Sequence, residues 1–144
     1  CPNKKVPPIE SAICLLCGEY LCINCCRYDV KTYKLLPKNQ SKYSDYNGIG
    51  NLTMHSKLCG KGMGIFLYIQ KSSIILIYGH SASVYNSLYL DKYGEQDIGL
   101  HRGRLLKLNK IRLHELTQLC ANQNIPNKVC QLRGGKSSHY KKNW

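Results

Sequence analysis

The chain has 144 residues, enough for one ordinary domain with a real core. Its formal charge is +13, from 21 Lys and Arg against 8 Asp and Glu. Such an excess suits nucleic acid, an anionic membrane or an acidic protein surface, but the lysines are scattered along the chain as on a solvated surface. No apolar run approaches the roughly 20 residues that a membrane-spanning helix needs, so we expect no membrane partner.

Two pairs of metal-ligating residues stand out along the chain. Cys14 and Cys17 are separated by two residues, and His55 and Cys59 by three. A two-residue gap lets both thiolates face one ion from a tight turn, for which Gly18 is suited, and one helical turn or a compact loop presents the second pair to the same point. This pattern predicts a closed structural zinc site with no position left for water or substrate.

The remaining cysteines leave an alternative open. Nine cysteines could also form a disulfide framework, although the ligand spacing favours zinc and an odd count leaves one thiol over. Cys120 falls on the apolar stripe of a predicted helix, so we expect it in the core and not at a metal.

Taken in order, the next elements predict a small mixed fold. Residues 27–51 are polar and are interpreted as an irregular insertion between the two ligand pairs. Residues 64–69 and 73–78 are two apolar, β-rich runs that predict an antiparallel hairpin covered on both faces. Residues 79–104 are interpreted as a loop rich in Gly and Tyr.

A helix is predicted near the C-terminus. Asn109 can cap it, and it ends before Pro126. Its apolar residues recur at helical spacing: Leu113, Leu116, Leu119 and Cys120. Residues 131–144 are interpreted as a tail. The fold class is therefore α+β: one small zinc-stabilised domain over residues 1–144, with an antiparallel β-hairpin or sheet and a C-terminal helix.

Two further motifs suggest other functions. The glycine-rich run at residues 60–64 resembles a phosphate loop, but it follows a predicted metal ligand and opens a strand, where a phosphate loop opens a helix. The basic tail at residues 133–142 could be an RNA-binding arm, with a solvated tail as the alternative. Charge and zinc together leave a free-standing zinc-containing nucleic-acid-binding domain as the alternative function.

Several stretches taken together resemble one known family. They are residues 14–18, Cys25 and Cys26, residues 55–67, and above all residues 89–108, which begin Tyr-Leu-Asp-Lys-Tyr-Gly-Glu-Gln-Asp-Ile-Gly-Leu. The chain is similar over nearly its whole length to the C-terminal domain of the N-recognin ubiquitin ligases, the UBR-box family. A fungal member is expected.

The resemblance implies a large cytoplasmic or nuclear ligase in which other domains bind N-degrons and the ubiquitin-conjugating enzyme. This chain would be its zinc-stabilised, non-catalytic C-terminal domain, acting in N-degron-dependent protein degradation within a RING-type ubiquitin transferase. A RING itself needs eight ligands around two zinc ions, and the sequence supplies one clear set of four. Cys1, Cys22, Cys25 and Cys26 are less certain further ligands, with Cys1 and Cys26 favoured by the resemblance.

The loop at residues 89–104 is the candidate partner surface. Asp91, Glu95 and Asp97 can accept charge-assisted hydrogen bonds from Arg102, Arg104 and backbone amides, which would order the loop. The predicted partner-binding residues are Tyr85, Tyr89, Tyr93 and Arg102. The expected partners are other domains of the same ligase and substrate or regulatory peptides, with the conjugating enzyme engaged only through the full-length ligase. The alternative is that the loop merely completes the fold.

Overall fold

The structure, a computed structural model, describes residues 8–23 and 49–134. Most of the predicted insertion (27–51) and of the predicted tail (131–144) lies outside these ranges. A five-stranded antiparallel sheet in the order β2-β1-β3-β4-β5 forms the centre. Its strands are β1 (Ser11–Cys14), β2 (Tyr20–Cys22), β3 (Met63–Tyr68), β4 (Ser73–Tyr78) and β5 (Ser81–Tyr85).

Three helices and a small second sheet complete the described part of the chain. The helices are α1 (Asn51–Cys59), α2 (Lys110–Ala121) and α3 (Ile125–Gly134), and the second sheet pairs β6 (Tyr89–Leu90) with β7 (Lys107–Leu108). The predicted α+β class is confirmed. Among the described residues, no helix combines the length and apolar character needed to cross a bilayer.

The predicted hairpin is present as β3 and β4. The two strands pair antiparallel from Met63 opposite Tyr78 to Tyr68 opposite Ser73. A single 3-10 turn (Ile69–Lys71) joins them, followed by Ser72 in the left-handed region at φ 47°. The glycine-rich run before β3 opens a strand, as expected, and not a helix.

Strand β4 is covered on both faces, which explains its continuous apolar sequence. On one face Ile75 and Ile77 join a core that includes Leu52 of α1. On the other face Ile74 and Leu76 join a core that includes Val129 of α3, together with Leu88, Leu116 and Ile125. The sheet is therefore packed between α1 on one side and α3 on the other.

Several elements differ from the sequence expectation, among them β5 and β6. Strand β5 lies inside the predicted loop at residues 79–104, where its small residues Ser81, Ala82 and Ser83 give little β signal. It forms because all five of its residues pair with β4 and because Ala82 and Val84 pack on the core. Residues 131–134, predicted as tail, are the last turn of α3.

The predicted C-terminal helix is present as α2. The side chain of Asn109 accepts a hydrogen bond from the backbone amide of Arg112 at 3.0 Å, which confirms the predicted cap. Of its apolar stripe, Leu116 is buried and Leu113 is 38% exposed. Helix α3 was not predicted, because Pro126 appeared to end helical structure; it lies instead in the first turn of α3, where proline is tolerated.

Candidate metal centre

The β1–β2 hairpin presents the first pair of predicted ligands. Cys14 is the last residue of β1 and is 1% exposed, while Cys17 lies in the turn that follows. The Gly18 amide donates to the Cys14 carbonyl at 2.8 Å, and the Cys14 amide donates to the Glu19 carbonyl at 2.9 Å. Gly18 has φ +80°, a left-handed conformation that favours glycine, so the turn can close tightly.

Helix α1 presents the second pair. His55 and Cys59 are four residues apart and therefore share one face of the helix. The helix approaches β3 closely at Gly64, where a Cβ atom would lie 2.8 Å from Cβ of Ser56. His55 also meets Phe66 of β3 edge to face, with ring centroids 5.9 Å apart. This packing fixes the position of the imidazole at the end of the hairpin.

The four predicted ligands converge on one point. One donor atom from each of Cys14, Cys17, His55 and Cys59 lies within 4.8 Å of all the others. Cys17 Sγ and His55 Nε2 are 3.3 Å apart. A tetrahedral zinc ion with metal–sulfur bonds of about 2.3 Å places its donor atoms about 3.8 Å apart, so the cluster has the dimensions and the donor types that zinc requires.

Without a cation, the thiolate forms of Cys14 and Cys59 are disfavoured in the cluster. Burial raises the pKa of Cys14, and the nearby Cys17 thiol adds to the rise. Burial, followed by hydrogen bonding and repulsion from Cys17 and Cys14, raises the pKa of Cys59 to about 12. Burial lowers the pKa of His55, opposed in part by Glu19. A neutral imidazole and crowded sulfurs suit a divalent cation, which stabilises the thiolates.

Glu19 is a member of the site that the sequence analysis missed. Its Oε2 lies 3.3 Å from Nδ1 of His55, the ring nitrogen that faces away from Cys17. The sequence alone does not indicate this role, because Glu19 reaches the site through the hairpin register, which places it opposite Cys14. No hairpin was predicted in that part of the chain.

One of the less certain ligands lies among the described residues and does not join the cluster. Within residues 8–23 and 49–134, this group of four is the one found to be able to hold a metal ion. Cys22 is buried on β2 and is not a member of it. Cys1, Cys25 and Cys26 lie outside the described residues. Cys120 is half-buried against the core and donates to the Leu116 carbonyl at 3.0 Å, as expected of a core residue.

The loop at residues 89–104 is ordered by its carboxylates, as predicted. Asp91 accepts from the amides of Tyr93 and Glu95, both at 2.9 Å, and from Arg104 at 2.9 Å. Asp97 accepts from two more amides, those of His101 at 3.0 Å and Arg102 at 2.9 Å, and the Arg102 guanidinium pairs with Glu95. Charge-assisted hydrogen bonds thus connect the two ends of the loop to its middle.

The predicted partner-binding residues fall into two groups. Tyr85 and Tyr89 are half-buried and pack against the core that contains Ile74. Tyr93 is 66% exposed, with the Arg104 guanidinium 5.2 Å from its ring centre. Arg102 is about half exposed and paired with Glu95. Only the second group offers side chains to a partner without disturbing the core.

Comparison with known proteins places the chain in a family. The family model described as Proteolysis_6 C-terminal matches residues 1–122. The E3 ubiquitin-protein ligase ubr1 of Schizosaccharomyces pombe is 33% identical over 132 residues, which is 91% of this chain and 6% of that protein. The human E3 ubiquitin-protein ligase UBR3 is 38% identical over 116 residues, 79% of this chain and 5% of that protein.

A further relative agrees with these. The human E3 ubiquitin-protein ligase UBR2 is 30% identical over 120 residues, 81% of this chain and 6% of that protein. The chain spans only about a twentieth of the length of these relatives. Because they come from both a fungus and an animal, fungal origin stays a prediction. The chain belongs to the Proteolysis_6 C-terminal family, the C-terminal domain of the UBR family, as its sequence indicated.

Proposed function

We propose that this chain is the zinc-stabilised structural and protein-interaction domain of an N-recognin ubiquitin ligase acting in N-degron-dependent degradation. The parent protein would be a RING-type ubiquitin transferase of the cytoplasm, the nucleus or both. The observation that carries the proposal is the four-donor cluster, which supports a metal that builds the fold and does not activate water. Family membership supports the parent activity, since the relatives carry the name E3 ubiquitin-protein ligase.

We also propose that the isolated chain does not catalyse ubiquitin transfer. Purified chain, a conjugating enzyme charged with ubiquitin and free lysine would be mixed, and loss of the charged enzyme would be followed over time. We expect the charged enzyme to lose ubiquitin at the same rate with the chain as without it. The chain would be catalytic, contrary to the proposal, if it accelerated discharge and if Cys59→Ser abolished that acceleration.

A docking surface for the rest of the ligase is proposed on residues 98–111. This segment carries exposed apolar side chains on a basic background, without an acidic residue. Leu105 is 78% and Ile111 71% exposed, and the others are Ile98, Leu100 and Leu108 at 45–50%. Lys107 and Lys110, both exposed, alternate with them in sequence.

The exposed apolar and basic side chains of this segment indicate what kind of partner it would bind. Five apolar side chains within 14 residues are exposed to water, which is unfavourable unless a partner covers them. The adjoining lysines favour a partner whose apolar stripe is flanked by Asp and Glu. We therefore assign the surface to an acidic amphipathic segment of the same ligase. Tyr93, exposed beside the segment, extends the surface to the predicted loop.

A pull-down of the remaining part of the parent ligase by this chain tests the docking surface. Leu105→Asp combined with Ile111→Asp should abolish capture, since two exposed apolar contacts become charges that repel an acidic partner. Ile9→Asp is the matched control because Ile9 is 88% exposed and lies far from the segment in sequence. Equal capture by all three folded proteins would refute the surface.

The nucleic-acid alternative receives less support from the distribution of charge. Ten of the 21 Lys and Arg, but only two of the 8 Asp and Glu, lie in residues 1–7, 24–48 and 135–144. Residues 8–23 and 49–134 therefore carry a smaller share of the excess positive charge. Binding to DNA or RNA of arbitrary sequence that weakens steeply with salt would favour the alternative; we expect no such binding at physiological ionic strength.

A further inference from the structure

The His55 imidazole has two different neighbours, one at each ring nitrogen. Nε2 lies 3.3 Å from Cys17 Sγ, on the side of the donor cluster. Nδ1 lies 3.3 Å from Oε2 of Glu19. The His55 side chain is 5% exposed, whereas that of Glu19 is 37% exposed. A buried ring is therefore held between a thiol inside the site and a carboxylate at its edge.

The hairpin places Glu19 where it can act on this ring. The pairs Ser11–Cys22, Ala12–Leu21 and Ile13–Tyr20 continue to Cys14 opposite Glu19, which the bond from the Cys14 amide to the Glu19 carbonyl confirms. Residues directly opposite in an antiparallel pair send their side chains to the same face of the sheet. Glu19 therefore lies on the same face as a metal ligand, the face against which α1 packs.

We propose that Glu19 is a positioning residue of the metal centre, which keeps the proton of neutral His55 on Nδ1 and leaves the Nε2 lone pair free for the metal. The inference rests on the proposed zinc site. A neutral imidazole carries one N–H, and a carboxylate can only accept, so contact with Glu19 fixes that N–H at Nδ1. Carboxylates in this position orient histidine ligands and raise their basicity, and their loss weakens metal binding about 10–100-fold.

Two substitutions distinguish the role of the Glu19 side-chain oxygen as a hydrogen-bond acceptor from the role of its negative charge. Glu19→Ala removes both, whereas Glu19→Gln keeps an oxygen that can accept from Nδ1–H. Zinc affinity of the 144-residue chain would be measured by competition with a chromophoric chelator. We expect Glu19→Ala to weaken binding by about 10–100-fold and Glu19→Gln to restore part of that loss. Glu115→Ala, at an exposed glutamate on α2, is the control and should bind zinc like the unsubstituted chain.

A second measurement determines the state of the two His55 ring nitrogens directly and uses the unsubstituted chain. In the zinc-loaded chain, nitrogen NMR of His55 should show a metal-bound Nε2 and a protonated Nδ1 whose proton exchanges slowly with water. A metal-bound Nδ1 would overturn the inference, and so would unchanged zinc affinity in folded Glu19→Ala. If the unsubstituted chain binds no zinc, the metal site itself is refuted. Normal zinc binding with no effect of Glu19 refutes only the role of Glu19.

Discussion

At the scale of single residues, Gly64 decides how closely α1 can approach the sheet. A Cβ atom there would meet the Phe66 ring and lie 2.8 Å from Cβ of Ser56, so even one methyl group has no room. We expect Gly64→Ala to lower the free energy of unfolding by about 1–3 kcal/mol because it overpacks this contact. Chemical denaturation of the zinc-loaded protein measures the change.

A matched glycine gives the control for this prediction. Gly134, at the end of α3, has no atom of the described residues within 4 Å of the position its Cβ would take. Gly134→Ala should therefore leave stability unchanged or raise it slightly, by at most about 1 kcal/mol, since alanine restricts the unfolded chain. Equal stability of the two variants would show that α1 does not depend on Gly64.

A second prediction concerns Asp91 and the dependence of stability on pH. Bonds from the Glu95 amide and from Arg104 hold the pKa of Asp91 below its ordinary value. A carboxyl with a lowered folded-state pKa stabilises the protein above its unfolded pKa, and this contribution is lost as pH falls through the folded pKa. Asp91→Asn should therefore lower the melting temperature by several degrees at pH 7, with a smaller difference from the unsubstituted protein below about pH 4.

Melting curves of both proteins at pH 7, 5 and 3.5 measure this effect. Because acid protonates the ligands and releases zinc, the zinc content is measured at each pH, and melting temperatures are compared only where both proteins retain the metal. A difference that stays constant across these pH values would contradict a charged Asp91 as the centre of the loop.

The residues of the site show what a sequence can and cannot reveal. Cys14, Cys17, His55 and Cys59 were predictable, because metal coordination imposes short fixed spacings within each pair. The loop carboxylates were predictable from their Arg neighbours and the family resemblance. Glu19 was not, since its role comes from a strand register that three- and four-residue strands barely indicate in sequence.

At the scale of secondary-structure elements, β4 is the centre of the packing. Ile74 and Ile75 are adjacent, both fully buried, and face opposite helices. We expect Ile74→Ala and Ile75→Ala each to lower the free energy of unfolding by about 2–5 kcal/mol, because each leaves a cavity in a different core. Urea denaturation of each variant measures the loss.

Tyr78, at the end of the same strand, is the control. It is 46% exposed, so Tyr78→Ala should cost less than either isoleucine substitution. A large loss for Ile75→Ala with none for Ile74→Ala would mean that α3 does not cover the second face of the sheet.

The elements that sequence predicted are those with strong local signals. Two apolar runs separated by three residues indicated β3 and β4, and a cap with a helical stripe indicated α2. Strand β5 lacks such a signal because its small and polar residues depend on pairing with β4. Helix α3 is stabilised chiefly by burying Ile125 and Val129 on the sheet, a tertiary effect that overrides its early proline.

At the scale of the whole molecule, the four-donor cluster joins parts of the chain that are distant in sequence. Cys17 and His55 are 38 positions apart, and the cluster links the β1–β2 hairpin to α1 across that distance. Closing so long a loop carries an entropic cost that the metal–ligand bonds can offset. The central claim is therefore that one zinc ion, bound by these four residues, stabilises the fold of the domain.

Metal analysis of the purified chain, combined with its folding state, tests this claim most directly. We predict at least one zinc per chain, reduced thiols at the ligand cysteines, and loss of both zinc and cooperative unfolding in Cys14→Ser or Cys59→Ser. Cys130→Ser, at an exposed cysteine outside the cluster, should retain both. A well-folded chain without zinc, or with disulfides among Cys14, Cys17 and Cys59, would contradict the account.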